Sequence, residues 1–458
     1  MILLRRLNEK GQVVVLVALS AVVLLGLTGL AIDSGIGYGV KAKLNASVDA
    51  AAIAAARAVA TGDNDGARVV AARQAAERFF AANFPNGWMG ATPSALNTVA
   101  VHEADGFWRI SVTGQATVPT TFMQVMGFRN ITVNAEAEVI KRDLDMVLVI
   151  DNSGSLGPPT SPQGTFRKVQ DAAISFIDKF NEGPGGDRIG LISFGSGAEI
   201  DVPINKNANR GFSKNTLRNA INAIPLGGAT ASAEAFRLAF DEIEAVPADV
   251  RSSLRVVVFF SDGAPNLVAA DYNRAGTTVQ GGLYSETEGP GNSRANRMFR
   301  HNQRNNQMPG NFSDIVRLPR NGLGNVPLAS FNNQRSLTPS GAEYEQTRCN
   351  VNKAARNMVE NLANTTREAG VHVFTLGLGE RLNSLEVTFC GYGPDERGAN
   401  ILRRLANMDP NRNASGEAGE SDTLNTSQPI GLYVFAEDAD QMEAAFNQIA
   451  SAIMRLTR

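Results

Sequence analysis

The sequence predicts an α/β chain: a doubly wound, mostly parallel sheet, preceded by a transmembrane helix and a small α+β segment. Three observations carry that expectation. An uncharged run of 20 residues, Val13 to Ile32, stands near the start of the chain. The stretches "NTVAVHE", "FWRISVTGQATV" and "NITVNAEAEVI" alternate apolar and polar side chains, the period of a half-buried strand. Beyond Arg142, nearly continuous apolar runs alternate with amphipathic helical patterns, as in a parallel sheet covered on both faces.

As a helix, residues 13 to 32 extend about 30 Å, the thickness of a bilayer's hydrocarbon core. Arg5, Arg6 and Lys10 precede the run and Asp33 follows it. The positive-inside rule then expects a single pass, amino terminus in the cytoplasm and the remainder outside. A cleaved signal peptide is the competing expectation, but its apolar region is normally shorter. The run "GYGVKAKLNASVDAAAIAAARAVATGDN" continues in good helix formers, so the helix is expected to project beyond the membrane. The basic start, the anchor, "AIDSG", and "VDAAAIAAARA" together resemble the amino-terminal segment of TadG-like proteins of the tight-adherence (Flp) pilus assembly system. That resemblance covers roughly residues 5 to 60 and implies a cell-envelope role in pilus assembly or adherence.

Residues 67–84, "ARVVAARQAAERFFAANF", read as an amphipathic helix, followed by the alternating stretches and by a short helix around "TTFMQVMGF". A long helix, a second helix and a small antiparallel sheet come in the order of a pilin-like module. Domain boundaries follow: 1–32 for the tip and anchor, 33–142 for the stalk and α+β segment, 143–458 for the large α/β domain.

In the large domain the expected strands are "DMVLVID", "DRIGLISFG", "AEIDVPI", "RVVVFFSD" and "VHVFTLGLG". Ligands of doubly wound sheets bind at the carboxyl ends of strands. The first strand ends in "DNSGS", placing Asp151, Ser153 and Ser155 there. Asp262 in "FFSDGAPN" ends another, and Thr230 in "PLGGATAS" precedes a helix. Two carboxylates and three hydroxyls are hard oxygen ligands, suited to Mg2+ or Mn2+. The ordered set "DNSGS", "GGAT", "SDG" and "GVHVFTLGLG" resembles the von Willebrand factor type A domain, a Rossmann-like fold, and its metal-ion-dependent adhesion site. The resemblance covers about 143–458. It implies that Asp151, Ser153, Ser155, Thr230 and Asp262 carry the metal, some through water, and that the metal binds an acidic residue of a protein partner. Ala229 stands where the family often has Gly, which leaves Ser232 as an alternative to Thr230.

Two insertions depart from a minimal domain. Residues 267–346 are rich in Asn, Gly and Arg and contain no lysine; a loop this long near the binding edge is expected to be functional or disordered. Residues 388–430 form the second. The two cysteines, Cys349 and Cys390, are expected to pair if the domain lies in an oxidising compartment.

Composition removes other classes. With 43 basic and 45 acidic residues the net charge is −2, which argues against a nucleic-acid binder. There is no P-loop for a nucleotide, no H-E-x-x-H and no Cys/His cluster for zinc. His102, His301 and His372 are far apart, and none adjoins a nucleophile motif. A binding protein of the envelope is therefore expected, and not an enzyme. The alternative is a structural anchor or minor pilus component whose metal site is vacant or only structural.

Overall fold

The first helix, α1, runs unbroken from Lys10 to Ala58 and passes through two environments. In the computed structural model, which describes residues 10–59, 64–103, 106–157, 164–285, 292–330, 335–383, 390, 397–408 and 425–457, its first half is bare. Val13 to Leu27 present exposed Val and Leu side chains all round. The helix is long and apolar enough to cross a membrane. Arg5 and Arg6 lie outside the described residues. Past Asp33 the pattern changes: Val40, Leu44, Val48, Ala52, Ala55 and Val59 recur at helical spacing and are buried.

The chain divides into two compact units between Lys141 and Arg142. In the first, α1 packs on α2 (Asp65–Asn83), whose amino end is capped by the Asn64 side chain. The pair covers a four-stranded antiparallel sheet of β1 (Thr92–Pro93), β2 (Asn97–His102), β3 (Phe107–Pro119) and β4 (Asn130–Arg142). Along β3, Trp108, Ile110, Val112, Ala116 and Val118 turn inward at period two. Gly114 falls in that inward series because the sheet comes close to α1 there: a Cβ on it would lie 2.9 Å from a Val48 methyl.

The second unit is built on a six-stranded sheet, in spatial order β16 (Tyr433–Ala436), β15 (His372–Leu378), β8 (Leu254–Ser261), β5 (Leu144–Asp151), β6 (Arg188–Phe194), β7 (Ala198–Val202). All neighbours are parallel except β7, which runs antiparallel to β6. Alternate residues of the central strands feed two cores. Met146, Leu148 and Ile150 meet α3 (Thr165–Ile177), α4 (Lys214–Ala223) and α8 (Met442–Leu456). Val147 and Val149 meet α5 (Ser232–Glu244), α6 (Arg348–Glu368) and α7 (Gly398–Leu405). β5 and β8 lie side by side at the centre, so their carboxyl ends emerge together.

The 267–346 insertion is not the structureless loop its composition suggests. β9 (Leu267–Arg274) and β10 (Thr277–Tyr284) form a hairpin whose loop, Ala275–Gly276, has positive φ at both residues, as a tight hairpin turn requires. β11 (Arg297–Phe299) pairs with β10, and β12 (Arg317–Leu318), β13 (Pro339–Ser340) and β14 (Glu343–Glu345) make a second small sheet. Val268, Tyr272, Leu283, Met298 and Phe312 join the core on the α5–α6 side. Along the insertion, α6 supplies amides to backbone carbonyls. Asn350 donates to the Glu345 carbonyl (2.8 Å), Asn357 to Leu328 (2.8 Å) and Asn361 to Pro327 (2.7 Å). Backbone acceptors that would otherwise be buried without donors are thereby satisfied.

Candidate metal site

The edge of the sheet after β5 and β8 brings four of the five proposed ligands into direct contact. All eight residues of β5 are buried, Asp151 completely. The Asp151 carboxylate accepts the Ser153 backbone N–H (2.8 Å) on one oxygen and the Ser261 hydroxyl (2.6 Å) on the other. The first bond is a tight local turn, which folds "DNSGS" back so that Ser153 and Ser155 face the end of β8. There Asp262 Oδ1 accepts the hydroxyls of Ser153 (3.2 Å) and Ser155 (2.9 Å), whose own oxygens lie 3.1 Å apart. Ser155 is exposed, so the cluster opens to solvent on that side. A pocket of about 280 Å³ adjoins it, lined among others by Ser155, Asp262, Glu380, Arg381, Glu437 and Asp438.

Thr230 reaches the same edge by a different route. Gly227 and Gly228 both have positive φ, and a Cβ on Gly228 would lie 2.6 Å from the Ser196 nitrogen. Only glycine permits that approach. The loop is pinned by Gly154 N–H to the Gly228 carbonyl (3.2 Å), Gly227 N–H to the Asn152 carbonyl (2.8 Å) and Ala229 N–H to the Ser196 hydroxyl (2.8 Å). Thr230 itself is buried and clamped: its N–H donates to Asn266 Oδ1 (2.9 Å), and its carbonyl accepts the Asn266 N–H (3.3 Å). Ser232, the alternative ligand, begins α5 and is buried. No hydrogen bond links Thr230 to the two aspartates as it links Ser153 and Ser155.

Three residues of this arrangement escaped sequence reasoning. Ser261, Ser196 and Asn266 orient Asp151, the glycine loop and Thr230 respectively. Ser261 had a visible signal, its place beside Asp262 in "FFSDG". Ser196 and Asn266 had none, since each acts on a residue more than thirty positions away.

The electrostatics point to a cation. Asp151 is pushed up to about 7, first by burial and then by the neighbouring Asp262 carboxylate, against the hydrogen bonds from Ser261 and Ser153. Its partners in the structure are neutral. Two carboxylates held together at a sheet edge and three hydroxyls fit a hard divalent ion, which would remove the repulsion that raises Asp151. Asp151, Ser153, Ser155, Thr230 and Asp262 would hold such an ion directly or through water, and it would supply a Lewis-acidic contact for an outside oxygen ligand. Among the described residues no group of three or more His, Cys, Asp or Glu is placed to hold a metal; this site depends on hydroxyls.

Cys349, in the first turn of α6, is bonded to Cys390, with Cα atoms 5.4 Å apart. The bridge ties the second insertion to that helix. His301 is held by Glu234 (Nδ1 to Oε1, 3.1 Å) and Gln280 (Nε2 to Oε1, 3.1 Å), which accounts for it structurally. Residues 388–389, 391–396 and 409–424 of the second insertion lie outside the described residues.

Fold and site together define a class. Residues 146–264 match the family model of the von Willebrand factor type A domain, and the doubly wound sheet of the second unit is the fold of that domain. Among characterised proteins, the chain is similar to human Matrilin-3, 30 % identical over 144 residues, which are 30 % of this chain and 28 % of Matrilin-3. Chicken Matrilin-3 is 27 % identical over 154 residues, which are 32 % of this chain and 32 % of that one. The chain thus spans about a third or less of the length of these relatives. Among solved structures it is similar to the vWF domain of the type V pili tip protein Mfa5 from Porphyromonas gingivalis. That match has a TM-score of 0.39 and 16 % identity, covering 70 % of this chain and 98 % of that one. So low a score carries no function across.

Proposed function

We propose that this chain is a membrane-anchored envelope protein that captures a protein partner through a divalent cation, Mg2+ or Mn2+, held at the carboxyl edge of the sheet. The observation that carries the reading is the meeting of Ser153 and Ser155 with Asp262 Oδ1 beside the buried, uncompensated Asp151. The ion offers a coordination position to an acidic side chain of the partner. The rim carboxylates of Glu380, Glu437 and Asp438 sharpen the dependence on metal. Without the ion they and the two aspartates outnumber the rim's Arg381 and oppose an incoming acid; with it the attraction is local and directional. The reading assigns binding and no catalysis to the site.

The apolar half of α1 supports a single-pass anchor in the cytoplasmic membrane, with the amino terminus inside and the second unit periplasmic or extracellular. The amino-terminal resemblance to TadG-like proteins supports a role in Flp pilus assembly or adherence. The test is calorimetric Mg2+ titration alongside partner capture from envelope extracts, with wild type, Asp151→Ala and Asp262→Ala. Metal binding and chelator-reversible capture by wild type, both lost in the variants, are expected. Absence of Mg2+ and Mn2+ binding by wild type refutes the metal site. Metal binding with capture unaffected by either variant makes the site structural and moves the partner surface elsewhere.

A further inference from the structure

The segment between β3 and β4, residues 120–129, carries the most exposed apolar surface of the first unit outside the spanning half of α1. Phe122 is 46 % exposed, Val125 88 %, Met126 57 % and Phe128 60 %. Four large apolar side chains within seven residues do not stay in water without a reason. The loop is also firmly built. Its neck is closed by the Thr120 N–H donating to the Arg129 carbonyl (3.0 Å) and by the Thr120 hydroxyl donating to the Phe128 carbonyl.

Its position along α1 is set by two contacts. The Asp33 carboxylate accepts the backbone N–H groups of Thr121 (3.0 Å), Phe122 (2.9 Å) and Met123 (2.7 Å). One turn earlier, Phe122 lies against Gly29, so close that a Cβ there would be 2.4 Å from the Phe122 Cβ. From Val13, at about 1.5 Å per residue, Gly29 lies about 24 Å along the helix and Asp33 about 30 Å. That is the depth at which the hydrocarbon of a bilayer gives way to headgroups.

We propose that residues 120–129 are a second membrane contact, seated in the headgroup–acyl boundary of the leaflet away from the amino terminus. This rests on the reading that α1 spans the bilayer. The occupant is lipid because the loop's apolar surface is continuous with that of α1, through the contact of Phe122 with Gly29. Arg129, exposed at the end of the loop, stands at headgroup level, where its guanidinium meets lipid phosphates. Asp33 is kept at the boundary because three backbone N–H groups solvate it. The anchor is then a wedge of helix plus loop, which fixes the rotation and depth of the first unit on the membrane, beyond what one helix can do.

The experiment uses the full chain, unreduced so that Cys349 and Cys390 stay bonded, with one added cysteine carrying an environment-sensitive nitrobenzoxadiazole label. It is reconstituted in phosphatidylcholine–phosphatidylglycerol vesicles with spin-labelled acyl chains, at carbon 5 or carbon 12. Val125→Cys is the probe, Leu24→Cys the mid-membrane control and Val99→Cys, on exposed β2, the aqueous control. The expected result is a blue-shifted Val125 label quenched more by the shallow than the deep spin label, a Leu24 label quenched by the deep one, and an unquenched Val99 label. A quenched Leu24 with an unquenched Val125 overturns the proposal and leaves the anchor standing. An unquenched Leu24 overturns the anchor reading itself. A Val125 label shielded in detergent without lipid, and released on dilution, also overturns it and assigns the patch to a second copy of the chain.

Discussion

Strand β5 carries a buried aspartate at each end, and the two live in opposite electrostatic worlds. Asp145, near the start, is fully buried beside a fully buried Arg188 (3.0 Å), with Arg210 at 3.4 Å. Ser252 adds its hydroxyl (2.6 Å) and its backbone N–H (2.8 Å). Asp151, at the other end, has only neutral donors and another carboxylate for company. The same residue type, on the same strand, is a charge-balanced brace at one end and an unbalanced charge at the other. A buried carboxylate with no cationic partner is a candidate for completion from outside, and the proposal of a metal at the carboxyl edge rests on that contrast.

The largest expected effect tests the balanced end. Asp145→Ala leaves the buried Arg188 without its carboxylate, while Arg210 keeps Asp143 at 3.6 Å, and is expected to cost about 3–5 kcal/mol of stability. Asp151→Ala, in chelator, is expected to be neutral or slightly stabilising, since it removes a repulsion. Urea denaturation of both variants decides it, and equal losses would erase the contrast.

A pH series sharpens the contrast. In metal-free protein the folded state holds the Asp151 proton up to about pH 7, whereas the group's ordinary value is 3.8. Between these values the folded state binds more protons than the unfolded chain, so stability falls as pH rises. The contribution is complete below about pH 4 and lost on passing pH 7, up to about 4 kcal/mol in all. Denaturation in chelator from pH 4 to 8 measures it, and Asp151→Asn is expected to flatten the profile.

Metal addition is the next largest effect. At a free Mg2+ concentration a hundredfold above its dissociation constant, the wild type gains about 2.7 kcal/mol at pH 7.5. Asp262→Ala is expected to gain almost nothing. Thermal unfolding with and without chelator reads both, and a gain retained in Asp262→Ala would place the ion elsewhere.

The smallest effect is Ser153→Ala. It deletes a neutral ligand that water partly replaces, so Mg2+ affinity is expected to weaken by about 1 kcal/mol, several-fold in calorimetry. A loss as large as that of Asp262→Ala would mean that the hydroxyls, and not the charges, hold the ion.

Much of the candidate site was legible in the sequence, whereas the contrast between the two aspartates was not, for a physical cause. The run "LDMVLVID" announces a strand buried on both faces, and "DNSGS" announces oxygen ligands at its carboxyl end. "GGAT" announces a close loop. These are local signals, because pleat, turn and glycine conformation act over a few residues. Nothing local distinguishes Asp145 from Asp151. Arg188, Arg210 and Ser252, which balance Asp145, come from 43, 65 and 107 residues away. The order of the insertion was not legible for the same reason. Its Asn- and Gly-rich composition looks like loop, and the asparagines of α6 that satisfy its carbonyls lie outside it.

The sequence by itself therefore determined the apolar helix from Val13, the buried strands, and the residues standing at their carboxyl ends, since each follows from periodicity and backbone preference within a short window. The tertiary structure alone decided the sheet order, the pairing of Asp145 with two arginines, the clamp of Asn266 on Thr230, and the capture of Asp33 by the 121–123 backbone. Those depend on which distant segments meet, and a buried charge takes its meaning from what it meets.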